Sequence, residues 1–488
     1  NGVLLSGMCV PDLRGTQGTF TFYTSNNSGS NEKKTGGVHI PVNIEGRKIR
    51  TYIPGPQNKS LKQVEEIRIP LEITLNGNTE AEVKVSKEKF RLKMGLYSQW
   101  IKLTFKAGPG VKIRGICLFL IKQIHPHFEM YMSPINIDPE KPSLPISYPF
   151  SYSIYLSKLM GSYATLGLAE DTWALNERVT NEDVFLQQVY KHHHEREEMF
   201  FNALDKTRRG LCVCVFDTTD RIQHMFMRFI TKDHPAHAIG TDQEKYRGTI
   251  EDLYKKMDHM IGKVMERIDK NDVLIVMSDH GFKPFKRGIN LNTWLYKNGY
   301  LTLKDQKKTG NEWFQGIEWE KTRAYTFGMS GIYINEKGRE SKGIVAGEEK
   351  EELKRELINK LNGLMDDEKG VVAIKECFNT TDYYNGPYKD SGPDIIIGCN
   401  EGYRASWGAA VGRVDEKIFE DNKKSWSGDH CMDPQLVPGV LFCNKKISRD
   451  NPHIVDIGPS VLELFGAEVP SYMTGKSLFN AKNKEEEN

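Results

Sequence analysis

The sequence predicts an α/β fold: a mostly parallel central sheet flanked by helices, with an antiparallel β module inserted near the amino end. Two observations carry this. Apolar runs at 211–216 and 273–277 alternate with helical patterns over about 181–207 and 243–268, and strand–helix–strand order implies parallel pairing through helical crossovers. Residues 38–133 instead alternate apolar and polar, the habit of half-buried antiparallel strands. A chain of 488 residues can hold more than one domain.

The elements follow in order. Val3-Leu4-Leu5 is an apolar strand already under way at the start, so a longer natural chain is expected upstream of Asn1. Residues 1–37 then open the α/β core, with a mobile loop at 26–30. The module 38–133 has strands near 38–42, 67–73, 82–85 and 100–105, turned by Asn76-Gly77 and Gly108-Pro109-Gly110. The proline-rich stretch 134–149 reads as a return linker into the core, which runs to 480. Thr180-Asn181-Glu182-Asp183 is a helix start. Further elements are a helix over 348–364, strands at 394–397 and 439–442, a helix over 456–465, and a charged tail at 481–488.

Bulk properties exclude some partners. Net charge is +2, which supplies no global field for a nucleic-acid polymer or a membrane surface. No run approaches the roughly 20 apolar residues that cross a bilayer. The 8 cysteines show no C-x-x-C zinc pattern, and Cys117, Cys212, Cys214, Cys399 and Cys443 lie in or beside apolar runs. They read as buried reduced thiols, which points to a cytoplasmic location.

The chemistry lies at strand ends. Asp220 and His224 are four apart, so on a helix they share a face. Taken alone, Asp220 is equally a helix cap beside an unrelated surface histidine. Asp279-His280-Gly281 follows the 273–277 run and taken alone is a turn. Together, two carboxylate–imidazole pairs after successive strands point to two metal ions close together, an arrangement suited to displacement at phosphorus. His430, in Ser427-Gly428-Asp429-His430, completes a three-ligand set with Asp220 and His224. His192-His193-His194 would point in different directions from a helix and cannot share one ion. His234 and His237 follow the metal helix and are candidates for substrate contact. Arg404, Trp407 and Trp426 are candidates to shape a pocket.

Residues 216–224, 277–282, 428–430 ahead of 439–442, and the closing 469–478 together resemble the alkaline phosphatase superfamily, and within it the type I phosphodiesterase and nucleotide pyrophosphatase branch. The resemblance spans roughly 181–480 and leaves the β module without a counterpart. It implies one zinc-like ion on Asp220, His224 and His430 and a second on Asp279 and His280. Zinc is expected, with manganese the alternative. It also implies an Asp and a Thr or Ser nucleophile that match nothing here. Ser6, Thr16 and Thr19 fit by residue type only, so the nucleophile is expected upstream of Asn1, within about a hundred residues. On that footing the full protein is a metal-dependent hydrolase of small phosphate esters, and the chain from Asn1 is expected to turn over little. A phosphoglycerate mutase-like phosphotransfer enzyme and a non-catalytic binding protein keeping the fold are the competing readings. The three imidazoles argue against a calcium-dependent sulfatase.

Overall fold

A computed structural model describes residues 2–26, 36–58, 65–305 and 311–479. The expected loop beyond Asn26 and the charged tail lie outside the described residues. The chain divides into two compact units, Asn1–Ile222 and Gln223–Asn488.

The first unit is built on β-structure. Strands Lys48–Asn58, Glu65–Asn76, Glu80–Val85 and Glu88–Lys93 form a sequential antiparallel sheet. Along the second of these, Ile69, Leu71, Ile73 and Leu75 are buried while Arg68, Pro70 and Asn76 stay in water. This period of two is what the sequence showed. Strands Ile101–Gly108 and Val111–Cys117 form the hairpin expected at Gly108-Pro109-Gly110. The buried faces of these sheets meet in one core that includes Ile49, Val83, Phe105, Phe119 and Met130. One pairing departs from the antiparallel expectation: Val38–Pro41 runs parallel to Thr21–Thr24, a strand from ahead of the module. Residues 134–139 are buried, with Asn136–Ile137 paired to Val111–Cys117, so the first part of the expected linker is packed, while 141–145 are largely exposed.

The helix Glu182–Lys206 starts where the sequence indicated, with Asn181 accepting from the Val184 amide. Its three histidines diverge. His192 is buried against Glu195, His193 bonds Thr218 Oγ1, and His194 is 70% exposed. The expected strand at 211–216 is a correction: the segment joins no sheet, and Leu211, Val213 and Val215 are exposed. Alternating apolar residues mark a surface that needs cover, but only a hydrogen-bonded neighbour makes a strand.

In the second unit, the helical pattern at 243–268 breaks into Gln243–Tyr246 and Thr249–Met265, separated by Arg247 and Gly248. The strand Ile275–Met277 pairs antiparallel with Leu441–Cys443. With 211–216 outside any ladder, the anticipated parallel neighbour of this strand is not formed. Strand Lys283–Ile289 is the hub next to the site. It runs parallel to Gly402–Ala405 and antiparallel to Phe419–Asp421 and Gly428–Asp429. A four-stranded sheet of Ala324–Phe327, Gly331–Ile334, Ile395–Cys399 and Ile374–Asn379 shares a core with helices Leu291–Lys297 and Glu348–Leu361. Both units mix helices and sheets, so the chain is α/β in class. No helix among the described residues is long and apolar enough to cross a membrane.

Candidate metal centre

Helix Thr218–Ile230 carries Asp220 in its first turn and His224 one turn on, so both side chains project from one face. His224 is buried, and its Nδ1 donates to the Gly428 carbonyl at 2.8 Å. A carbonyl only accepts, so Nδ1 carries a hydrogen, and Nε2 is the ring nitrogen that would ligate a metal. The ring plane is set by Trp426, whose centroid lies 3.8 Å away, and by the edge of Phe282 at 4.8 Å.

The close approach of Gly428 to the helix is what makes that hydrogen bond. A Cβ on Gly428 would lie 2.4 Å from the Gln223 carbonyl and 2.8 Å from Met227 Cβ. Ser427 N–H also donates to the His224 carbonyl, at 2.7 Å. The Ser-Gly-Asp-His segment is thus stitched to the helix by its own backbone.

His280 follows strand Ile275–Met277. Its Nδ1 donates to the Gly281 carbonyl at 3.1 Å, and its Nε2 lies 3.4 Å from Asp279 Oδ2. Asp279 is well exposed, His280 mostly covered. His280 stacks on His430 with centroids 3.6 Å apart and planes within 13°. His430 in turn lies 5.2 Å from His224. The structure therefore brings together three of the histidines singled out in the sequence, from three separate segments. Nitrogen donors of this kind with adjacent carboxylates suit zinc or manganese and fit an ion poorly suited to an all-oxygen cage.

Asp429, next to His430 in the Ser-Gly-Asp-His segment, organises the loop. It is buried, accepts the amides of His430 and Cys431 on Oδ1 at 2.9 Å each, and takes the Trp426 indole N–H on Oδ2 at 2.8 Å. Arg404 Nε sits 2.7 Å from the same Oδ2. Burial pushes the Asp429 carboxyl up, but the Arg404 guanidinium, His224, the Cys431 amide and the Trp426 indole together hold the group at about 2. The carboxylate is engaged on both oxygens, which leaves His430 as the ligand of that pair. The signal was present in the sequence: an acid just ahead of a candidate ligand in a Gly-Asp-His turn.

Three expectations are corrected. Arg404 does not line a pocket: it is buried, clamped to Asp429 and packed under Trp407 and Phe285. His234 is not placed for substrate. It is buried, its Nε2 faces the carbonyls of Phe285 and Ser427, and its Nδ1 accepts from the Ala236 amide. His237 Nε2 donates to the Arg228 carbonyl at 2.8 Å. His237 braces the helix end, and His234 ties its loop to Phe285 and Ser427. Trp407, whose ring lies 6.0 Å from that of Trp426, does border an open cleft with Phe285, Ser406 and Lys424. Thr16 and Thr19 are tied into a turn on the buried Asp12, with Thr16 Oγ1 donating to its Oδ2 at 2.6 Å.

One carboxylate–imidazole pair thus lies on helix Thr218–Ile230 and another follows strand Ile275–Met277, in a chain of α/β class. The sequence model described as type I phosphodiesterase / nucleotide pyrophosphatase matches residues 100–421, about two thirds of the chain, and the chain belongs to that family. The family is one of hydrolases acting on small phosphate esters, generally with divalent metals. The match includes Asp220, His224, Asp279 and His280 and ends before His430, which geometry alone joins to the others. No curated protein and no solved structure matches the chain.

Proposed function

We propose that the protein is a metal-dependent hydrolase of small phosphate esters. One ion would be held by Asp220, His224 and His430 and the other by Asp279 and His280, on an alkaline phosphatase-like core with a mostly parallel sheet. The observation that carries this reading is the 3.6 Å stacking of His280 on His430, two rings delivered by segments far apart in sequence. Two imidazole rings gain little from lying that close at a partly exposed surface. A shared cation-binding role accounts for it, since ligands of adjacent ions must converge.

When bound, the ions would neutralise phosphate oxygens and the charge that develops on the leaving oxygen. The chain's own residues prepare the site. The Gly428 carbonyl fixes the His224 tautomer, Trp426 fixes its ring plane, and Asp429 pins the His430 backbone. Zinc is the ion this donor set favours, with manganese the alternative.

Equilibrium dialysis against Zn²⁺ with elemental analysis tests the reading. Wild type should retain zinc, and His224→Ala and His430→Ala should each lose the same ion. Retention of zinc by both variants, or none by wild type, would sink the assignment. A panel of mono- and diesters then sets the substrate preference.

A further inference from the structure

We infer that Arg221 is a positioning residue for the carboxylate of Asp220, an inference that rests on the metal site proposed above. Arg221 is 8% exposed although it carries a full charge, on a helix that is buried over most of its length. Its Nη1 lies 2.5 Å from Asp220 Oδ2. The rest of the guanidinium faces inward, with Nε 3.9 Å from Glu170 Oε2 and Nη2 3.9 Å from Asp217 Oδ2.

Glu170 explains why Arg221 cannot swing away. Its side chain is fully buried, and neither carboxylate oxygen accepts a hydrogen bond. Such a charge needs nearby cations. Arg221 supplies one, and Arg196 Nη1 at 3.8 Å supplies another. Arg196 also holds Asp217 Oδ1 at 2.5 Å and reaches Thr218 Oγ1 at 3.4 Å, which His193 contacts from the neighbouring helix. The first helical turn, the guanidinium and the buried acid thus form one frame.

Of the three acids Glu170, Asp217 and Asp220, Asp220 is the most exposed, and Arg221 holds its Oδ2. A carboxylate pinned by one oxygen meets an ion in one orientation, and losing such an outer partner typically costs about 10- to 100-fold in metal affinity.

Co²⁺ titration of the full chain, followed by its visible absorption bands, tests this, with Zn²⁺ affinity measured by displacement. Arg221→Met should weaken both ions at least tenfold and alter the Co²⁺ bands. Arg221→Lys should fall between it and wild type, restoring charge but not the fork. Because Arg221→Met strands the charge of Glu170, the double variant Glu170→Gln/Arg221→Met keeps the test valid: it should fold and show the same loss. Glu170→Gln alone should keep the wild-type bands. Wild-type affinity and bands in the folded double variant would overturn the inference, as would tighter binding in Arg221→Met, which would make Arg221 a competitor of the ion. A wild type that binds neither ion would instead overturn the metal site itself, and this inference with it.

Discussion

His280 and His234 show how two histidines in the same unit can serve opposite ends. His280 keeps 23% of its side chain in water, and its partners are the Gly281 carbonyl, the Asp279 carboxylate and the rings of Phe282 and His430. Its removal should therefore cost the fold little. His280→Ala is expected to lose bound zinc at the second ion while the metal-free form unfolds within about 1 kcal/mol of wild type. Dialysis and denaturant melts in EDTA check the two halves separately. His234 is the reverse case. Burial depresses its pKa to about 4, against hydrogen bonds to Ser427 and Phe285 that pull the other way. An unfolded histidine titrates near 6.5, so between about 6.5 and 4 the unfolded chain takes a proton that the folded one refuses. Stability from this group is whole above pH 6.5 and drains away as pH falls toward 4, by at most about 3 kcal/mol. His234→Gln, which can still donate to those carbonyls, should flatten that part of the pH–stability curve measured by urea melts.

At the scale of elements, the sequence was most readable where an element makes its own case. The helix at Glu182–Lys206 has its cap and its period, and the strand Glu65–Asn76 has its alternation, so both stand within a few residues of the expected places. Metal-ligand candidates were readable because Asp220 and His224 are four apart and Asp279 and His280 adjacent. What could not be read was partnership. Nothing local reveals that Arg404 would clamp Asp429 or that His234 would bond Phe285, contacts across 25 and 51 residues. The run 211–216 failed for the same reason: its pattern is that of a strand, yet Val213 is 73% exposed and no ladder forms. This has a consequence. Replacing an apolar residue that stays in water should not cost stability, so Val213→Lys is expected to change unfolding by less than about 0.5 kcal/mol. It should also reduce binding of an apolar dye such as ANS, since it breaks an exposed apolar strip. A loss of several kcal/mol would show instead that this segment is covered.

At the scale of the whole chain, the family match and the β-structure part company. The match begins at residue 100, so the sheet of Lys48–Asn58, Glu65–Asn76, Glu80–Val85 and Glu88–Lys93 lies ahead of it. Yet that sheet shares a core with Phe105, Phe119 and Met130, which lie inside the match. It is part of the packing of the first unit and not a loosely tethered appendage. Ile73 tests this, since it is fully buried at the centre of that core. Ile73→Ala removes buried methylenes and leaves a cavity, which typically costs about 2–5 kcal/mol. Calorimetry of the metal-free chain should show Ile73→Ala lowering stability by that amount, and a change of less than about 0.5 kcal/mol would show instead that the sheet packs loosely on Phe105 and Phe119.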